Sequence, residues 1–320
     1  MFKGKSVLIT GGTGSIGEHL VKKISESSAK RIVVFSRDED KQFKMRNILN
    51  VHNVEYVIGD IRDRNRLNEA TKGIDFVLHT AAMKQVPIAE ENPYEASMTN
   101  IIGTYNVIQA AIQNNVERLV VFSSDKAVSP TNCMGMSKGI CEKIARATNS
   151  NNKTIITIIR LGNVIGTRGS VLTVWKDQIN SNQKITLTTN KMTRFIMSLT
   201  DVSRLVDHAL QYGKNGEIIF SAMSSCRIVD LAKIVCRENS LDWEKSVIIT
   251  GMRRGEKEFE EIYGREEVGT IYRAEDYFHI SSVDLATATP EMISQKSNGS
   301  SLLTIEELHN WLIKNQLLNL

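Results

Sequence analysis

The chain has 320 residues, enough for one large α/β core and a smaller lobe, and its formal net charge of +4 at pH 7 is spread along its length. With no basic tract, no run of about 18 apolar residues and no leader-like start, nucleic acid and membrane are excluded as expected partners and a soluble, cytoplasmic protein is expected. Cys133, Cys141, Cys226 and Cys236 have neither metal-ligand nor disulfide-framework spacing, so reduced buried thiols and no metal site are expected.

Residues 5–10, Lys-Ser-Val-Leu-Ile-Thr, read as a buried parallel strand. Gly11-Gly12-Thr13-Gly14-Ser15-Ile16-Gly17 follows at once, and then an amphipathic segment runs to about Ser25. A strand, a glycine turn and a helix in that order let backbone approach a pyrophosphate, with free N–H groups at the helix N-terminus to receive it. Gly11, Thr13, Gly14, Ser15, Ile16 and Gly17 are therefore expected to line a dinucleotide site. A second strand, 31–35, runs into Ser36-Arg37, with Lys41 one turn on. That cationic, hydroxyl-bearing tip suits the 2′-phosphate of NADP; NAD stays open because Asp38 and Glu39 are close by.

Further strands are predicted at 55–58, 75–79, 118–123 and 154–160 with helical crossovers between them, the alternation of a doubly wound parallel (Rossmann) α/β sheet. Asp60 and Ile61 after the third strand, and Ala81 and Ala82 after the fourth, lie at C-terminal strand ends, where ligands bind in such sheets. Asn92-Pro93 should start a helix as N-cap and first-turn residue, and that helix carries Asn100 through about Gln113. Asn100 reads equally well as a cofactor contact and as a polar residue on a buried helix. At the end of the fifth strand stand Ser124 and an adjacent acid and base, Asp125 and Lys126; Met134 and Lys138 then share one helical face.

After Arg160 the alternation loosens, and a smaller C-terminal α/β substrate lobe is expected. The expected boundaries are 1–165 for the dinucleotide-binding domain, with a returning segment near 199–223 that includes a strand at 217–222, and 166–198 plus 224–320 for the lobe. Residues 161–170, with Asn163, Arg168 and Ser170, form a glycine-rich strand exit able to wrap a ligand. Thr193 and Arg194 precede a helix cued by Thr200-Asp201. Arg253 and Glu256 offer a guanidinium fork for a diphosphate and a carboxylate for ribose hydroxyls. Thr304 and Glu307 form a capping box for a last amphipathic helix bearing Ile305, Leu308, Trp311 and Leu312.

Taken with Ser-Arg-Asp-Glu at 36–39, Ala-Ala-Met-Lys-Gln-Val-Pro at 81–87, Ser-Asp-Lys-Ala at 124–127, Gly-Asn-Val-Ile-Gly-Thr-Arg-Gly-Ser-Val at 162–171, Met-Thr-Arg-Phe at 192–195 and Arg-Gly-Glu-Lys at 254–257, the chain resembles the extended short-chain dehydrogenase/reductase superfamily. Within it the likeness is to bacterial nucleotide-sugar 4,6-dehydratases acting on UDP-N-acetylglucosamine, and it covers nearly the whole chain. The resemblance implies cofactor contacts from Lys84 and Lys138, substrate contacts from Lys84 and Val171, and a homo-oligomer, dimeric or hexameric. Short-chain dehydrogenases carry Tyr four residues before the lysine; here that position is Met134, and a thioether neither gives nor takes a catalytic proton. Some members of the subgroup also have Met there, and retention at C5 is expected of them more often than inversion.

The implied reaction oxidises sugar C4, removes water across C5 and C6, and returns the hydride to C6, so the cofactor stays bound and is recycled. Asp125 and Lys126 supply acid and base, with proton affinities set by a closed, partly dry site; Ser124 hydrogen-bonds the 4-oxygen, and Lys138 holds the nicotinamide ribose. A C5-inverting dehydratase, a 4-epimerase or 4-ketoreductase, and a non-catalytic cofactor-sensing protein stand as alternatives.

Overall fold

The computed structural model describes residues 1–148, 153–281, 295–299 and 301–318, so part of the segment assigned to the second lobe lies outside the described residues. The first apolar run is a fully buried strand, β1 (Ser6–Thr10), and the stretch behind the glycines is α1 (Ser15–Ser25), whose Leu20, Val21 and Ile24 enter the core. The alternation continues through β2 (Arg31–Ser36), α2 (Glu39–Leu49), β3 (Val54–Ile58), α3 (Arg64–Ala70) and β4 (Phe76–His79). There follow α4 (Val86–Glu91), α5 (Pro93–Ser97), α6 (Gly103–Gln113), β5 (Arg118–Ser124), α7 (Cys133–Ala147) and β6 (Ile155–Leu161).

These six strands pair in parallel in the order β3-β2-β1-β4-β5-β6. Strand order reverses between β1 and β4, and the helices on either side leave a crevice there at the C-terminal strand ends. The doubly wound sheet read from the sequence is thus the observed architecture.

The later elements are β7 (Asn163–Val164), α8 (Val171–Asn180), β8 (Ile185–Leu187), β9 (Thr193–Met197), α9 (Leu199–Tyr212), β10 (Ile218–Ser221), β11 (Ser225–Arg227) and α10 (Ile228–Glu238). Then come α11 (Trp243–Ser246), β12 (Val247–Ile249), β13 (Ile271–Ala274), β14 (Tyr277–Ile280) and α12 (Ile305–Lys314). β10 returns to pair with β6, as the strand at 217–222 suggested, but β14 and β13 add two antiparallel strands beyond it. Residues 271–280 therefore belong to the large sheet and correct the boundary drawn at 224–320. Their hairpin buries Ile271, Phe278 and Ile280, a partnership with β10 that no local pattern announces. A second apolar cluster, centred on Leu172, Trp175, Leu231 and Leu308, joins α8, α10 and α12 around the short β8–β12 pair.

Two helix starts differ from expectation. α9 is capped by Ser198, whose hydroxyl accepts from Asp201 N at 3.1 Å while the Asp201 carboxylate accepts from Ser198 N at 2.9 Å; Thr200 lies inside the first turn. Asn92 stands at the N-cap of α5, yet its side chain donates backward to Ile88 O at 3.0 Å. The helix then continues through a π-turn, Met98–Ile102, before α6.

Behind the C-terminal strand ends, Arg160 of β6 is buried between two acids. Its guanidinium donates to both oxygens of Glu142 on α7 at 2.9 and 2.7 Å and to both oxygens of Glu267 at 2.7 Å. Burial opposes its charge, and the two carboxylates overcome that penalty and hold the proton more firmly than in free arginine. Removing one member leaves charge uncompensated in a low-dielectric interior. Arg160→Leu is expected to cost about 3–5 kcal/mol, read as a lower midpoint in denaturant unfolding; the triple change with Glu142→Leu and Glu267→Leu should recover most of the loss.

Candidate active site

Gly11 has φ of +66°, and a Cβ there would lie 2.8 Å from the backbone of Ala81. A Cβ on Gly17 would stand 2.4 Å from the carbonyl oxygen of Gly11, so the start of α1 packs against the turn only if residue 17 is glycine. The result is a cradle of backbone N–H groups at a helix N-terminus, chemistry that suits a diphosphate. It opens into a cleft of about 850 Å³ that runs from this loop, past the ends of β2, β4 and β5, to the second lobe. Every glycine-loop residue named from the sequence lines it, as do Ser36, Arg37, Lys41, Asp60, Ile61, Ala81, Ala82 and Lys84.

At the tip of β2, Asp38 is already committed. Its carboxylate accepts from Lys41 N at 2.9 Å to cap α2 and pairs with the Lys41 ammonium, which holds it below the usual carboxylate range. Arg37 Nη1 lies 3.6 Å from Asp60, and Ser36 Oγ accepts from Gln42 at 3.0 Å.

Ser124 and Lys126 line the cleft where β5 ends, but Asp125 is wholly buried behind them and does not. The single turn of 3₁₀ helix at Asp125–Ala127 turns the acid inward. Asp125 Oδ1 accepts from Lys126 Nζ at 3.0 Å and from Ser124 Oγ at 2.9 Å; Oδ2 has no hydrogen-bond partner among the described residues. Burial pushes the Asp125 carboxyl above its ordinary value, more than Lys126 can offset, and the nearby Glu260 charge adds to the rise. Lys126 Nζ also donates to Asn163 Oδ1 at 3.1 Å.

Met134 and Lys138 lie on the inward face of α7, and both line the cleft. Met134 packs with Ala89 and Ala96, an apolar wall with no proton to give. Lys138 Nζ donates to Phe122 O at 2.7 Å, and burial lowers its proton affinity against the partial support of Cys141 and Glu142.

Asn100 does not reach the cleft. Sitting in the π-turn, its Oδ1 accepts from Met83 N at 2.8 Å while Nδ2 donates to Met83 O at 3.1 Å and Ser137 Oγ at 2.8 Å. It clamps the 81–84 loop that carries Ala81, Ala82 and Lys84, so it shapes the wall indirectly.

Asn163 just after β6 and, from the second lobe, Arg168, Ser170, Val171, Arg194, Arg253 and Glu256 line the cleft, whereas the buried Thr193 hydroxyl bonds to Ser297 at 2.9 Å and faces away. Strand alternation in β9 accounts for this: Arg194 points inward and its neighbour outward. Arg168 crosses to the glycine loop, its backbone N–H donating to Ser15 Oγ at 3.0 Å and its guanidinium to Thr13 O, while Lys84 donates to Arg168 O at 2.7 Å. Arg253 and Glu256 bond to each other through side chain and backbone at 2.9 Å. Sequence reading missed Glu260, which lines the cleft beside Lys126; among neighbouring Glu258 and Glu261 nothing local marks it as the buried one.

A sheet of nine strands among the described residues, with a glycine cradle at its switch point and a lysine on the cleft wall one helical turn after Met134, fits the extended short-chain dehydrogenase/reductase superfamily, to which the family match below points. More narrowly, the chain belongs to the polysaccharide biosynthesis protein family, whose model matches residues 7–282. It is 41% identical over 287 residues to a protein named UDP-glucose 4-epimerase from Rickettsia bellii, covering 88% of this chain and 84% of the relative. It is 40% identical over 285 residues, 87% of this chain and 86% of the relative, to one named uncharacterized membrane protein MJ1061 from Methanocaldococcus jannaschii. The solved structure of Pen from Bacillus thuringiensis superposes with a TM-score of 0.93 over the whole of both chains at 37% identity. DesIV from Streptomyces venezuelae, a dTDP-glucose 4,6-dehydratase solved with NAD and TYD, shares the fold with a TM-score of 0.73 at 22% identity, covering 78% of this chain and 86% of its own. Among the described residues no helix is long and apolar enough to cross a membrane, and no group of His, Cys, Asp or Glu side chains is placed to hold a metal.

Asn100→Ala would leave both backbone groups of Met83 without these partners. It is expected to lower stability by about 2 kcal/mol in denaturant titration and to raise protease cleavage within residues 81–87.

Proposed function

We propose that the protein is a nucleotide-sugar 4,6-dehydratase acting on UDP-N-acetylglucosamine with a tightly held, recycled NADP. The observation that carries this reading is the Lys126 amine on the cleft wall, bonded to the buried Asp125 whose carboxyl burial pushes above its ordinary value, in a site whose usual phenol position is the inert Met134. The glycine cradle and Arg168 would hold the cofactor diphosphate, Lys138 the nicotinamide ribose, and Arg253 and Glu256 the uridine diphosphate end. The cofactor held there would supply hydride chemistry, with removal from sugar C4 and return at C6.

The chain itself does the proton work. Lys126 takes the C5 proton and later returns it. The 6-hydroxyl leaves as water with the proton of the Ser124 hydroxyl on the cleft wall, and Ser124, turning from donor to acceptor toward Asp125, is reprotonated by that carboxyl. The proton released from the 4-hydroxyl replaces the one drawn from Asp125, so the sugar loses one water and nothing else. The 4-epimerase reading is favoured by the name the Rickettsia relative carries. Met134 weighs against it, because reversible proton transfer at the 4-oxygen needs a group the thioether cannot supply. Exposed Tyr94, Tyr105 and Met136 on α5, α6 and α7 support a homo-oligomer.

Incubation with UDP-N-acetylglucosamine is expected to give a product lighter by one water in mass spectrometry, with the C5 configuration retained by NMR; an isomer of unchanged mass would favour the epimerase. Lys126→Ala and Asp125→Asn should each abolish water loss while bound nucleotide is retained. Undiminished dehydration by Lys126→Ala would remove it as the base.

For the cofactor, Asp38 is taken up by its helix cap and by Lys41, and a 2′-phosphate would draw Arg37 and Lys41 from their pairs with Asp60 and Asp38 while meeting Ser36. Protein purified without added nucleotide is expected to release NADP on denaturation, and Arg37→Ala should lose its preference for NADP over NAD in binding titrations. Release of NAD alone would reverse the assignment.

A further inference from the structure

Glu260 is 2% exposed, a carboxylate taken almost wholly out of water. Its backbone is pinned on both sides, Glu260 N donating to Ser297 Oγ at 3.0 Å and Ser297 N donating to Glu260 O at 2.9 Å. Its Oε1 lies 3.6 Å from Lys126 Nζ and 3.8 Å from Arg194 Nε, and its Oε2 lies 3.3 Å from Lys257 Nζ. Although burial raises its proton affinity, Lys126, Arg194 and Lys257 together outweigh the penalty and keep it below the ordinary carboxylate range.

The three cations are not equivalent. Lys257 Nζ is also held by the carbonyls of Val128 and Ser129 at 3.0 and 3.1 Å, and the Arg194 guanidinium by those of Thr193 and Lys257 at 2.7 and 2.9 Å. These bonds anchor the 254–260 segment to the loop behind β5 and to β9. Lys126 is held differently: its amine donates to the side chains of Asp125 and Asn163. An ionised Glu260 thus sits on a braced frame with the Lys126 amine in front of it, 3.6 Å away.

We propose that Glu260 is a positioning residue for the acid–base pair: it holds the Lys126 amine at the cleft and shares its charge, so that Asp125, Lys126 and Glu260 act as one three-group unit. The groups facing Lys126 are then two carboxylates of opposite bias and the neutral Asn163 amide, with Arg194 and Lys257 behind Glu260. One acid keeps a proton and the other lends a fixed negative charge. The catalytic part of this assignment rests on the dehydratase reading; the coupling of Glu260 to Lys126 does not.

Two readouts separate them. Water loss from UDP-N-acetylglucosamine is followed against pH, and the labelling of Lys126 by reductive methylation is followed against pH by peptide mass spectrometry without substrate. In Glu260→Gln the rate of water loss is expected to fall on the order of 100-fold with KM little changed. Lys126 should be labelled faster than in wild type at the same pH, because the carboxylate 3.6 Å from its amine is gone. Glu260→Asp, which keeps the charge against Arg194 and Lys257 but draws it back by one methylene, should fall between wild type and the Gln variant in both measurements. It carries the test alone if the Gln variant does not fold. Labelling of Lys126 that is unmoved in either folded variant would overturn the proposal, as would an undiminished rate. If wild-type protein removes no water, the dehydratase reading fails by itself and the labelling series still decides whether Glu260 governs Lys126.

Discussion

The guanidinium of Arg160 lies out of reach of water between carboxylates that come from two distant parts of the chain. One, Glu142, is on the helix that carries Met134 and Lys138; the other, Glu267, follows the segment that brings Arg253, Glu256 and Glu260 to the cleft. Strand β6, helix α7 and the 253–267 segment therefore meet at one ion triad. An apolar contact would tolerate sliding by fractions of an ångström, whereas bidentate guanidinium–carboxylate pairs fix both distance and plane. The two walls of the cleft inherit that geometry, because Lys138 and Glu260 each stand within about two helical turns or a short loop of an Arg160 ligand.

The site in front of the triad gathers charge for a different purpose. Asp125 and Glu260 are both buried beside the same lysine, yet burial wins at Asp125 and cations win at Glu260. The difference lies in the number of positive neighbours: Asp125 has Lys126 alone, and Glu260 has Lys126, Arg194 and Lys257. Two carboxylates pushed in opposite directions around one amine form an arrangement that can hold a proton in one place and accept it in another. Against them stands the apolar patch of Met134, Ala89 and Ala96, which limits water and strengthens every electrostatic interaction nearby.

Closure of the cleft is shared between its halves. Arg168 reaches from the second lobe to Thr13 and Ser15 of the glycine loop, and Lys84 of the first holds the Arg168 carbonyl. The 81–84 loop that bears Lys84 is itself fixed by Asn100, placed in a π-turn that rotates the amide toward Met83. A π-turn inside a helix sacrifices regular hydrogen bonding, and here the freed geometry is used to brace a ligand-facing loop.

What the sequence determined by itself was the set of features written in local patterns. Apolar runs four to seven residues long, separated by amphipathic stretches, are enough to define parallel strands and crossover helices, and the glycine turn could be read because glycines stand together between a strand and a helix. Ser124, Lys126, Met134 and Lys138 were legible for the same reason, since a strand end and an i, i+4 spacing place them together. Only the tertiary structure decided that Asp125 turns inward, that Asn100 grips a backbone instead of a ligand, that Thr193 faces away, and that 271–280 completes the main sheet. Glu260 became visible there too, among acidic neighbours of identical local character. Each of these depends on partners tens to hundreds of residues away, and burial, which decides whether a charge is a solvated ornament or half of an acid–base pair, is a property of the packed chain that no window of sequence contains.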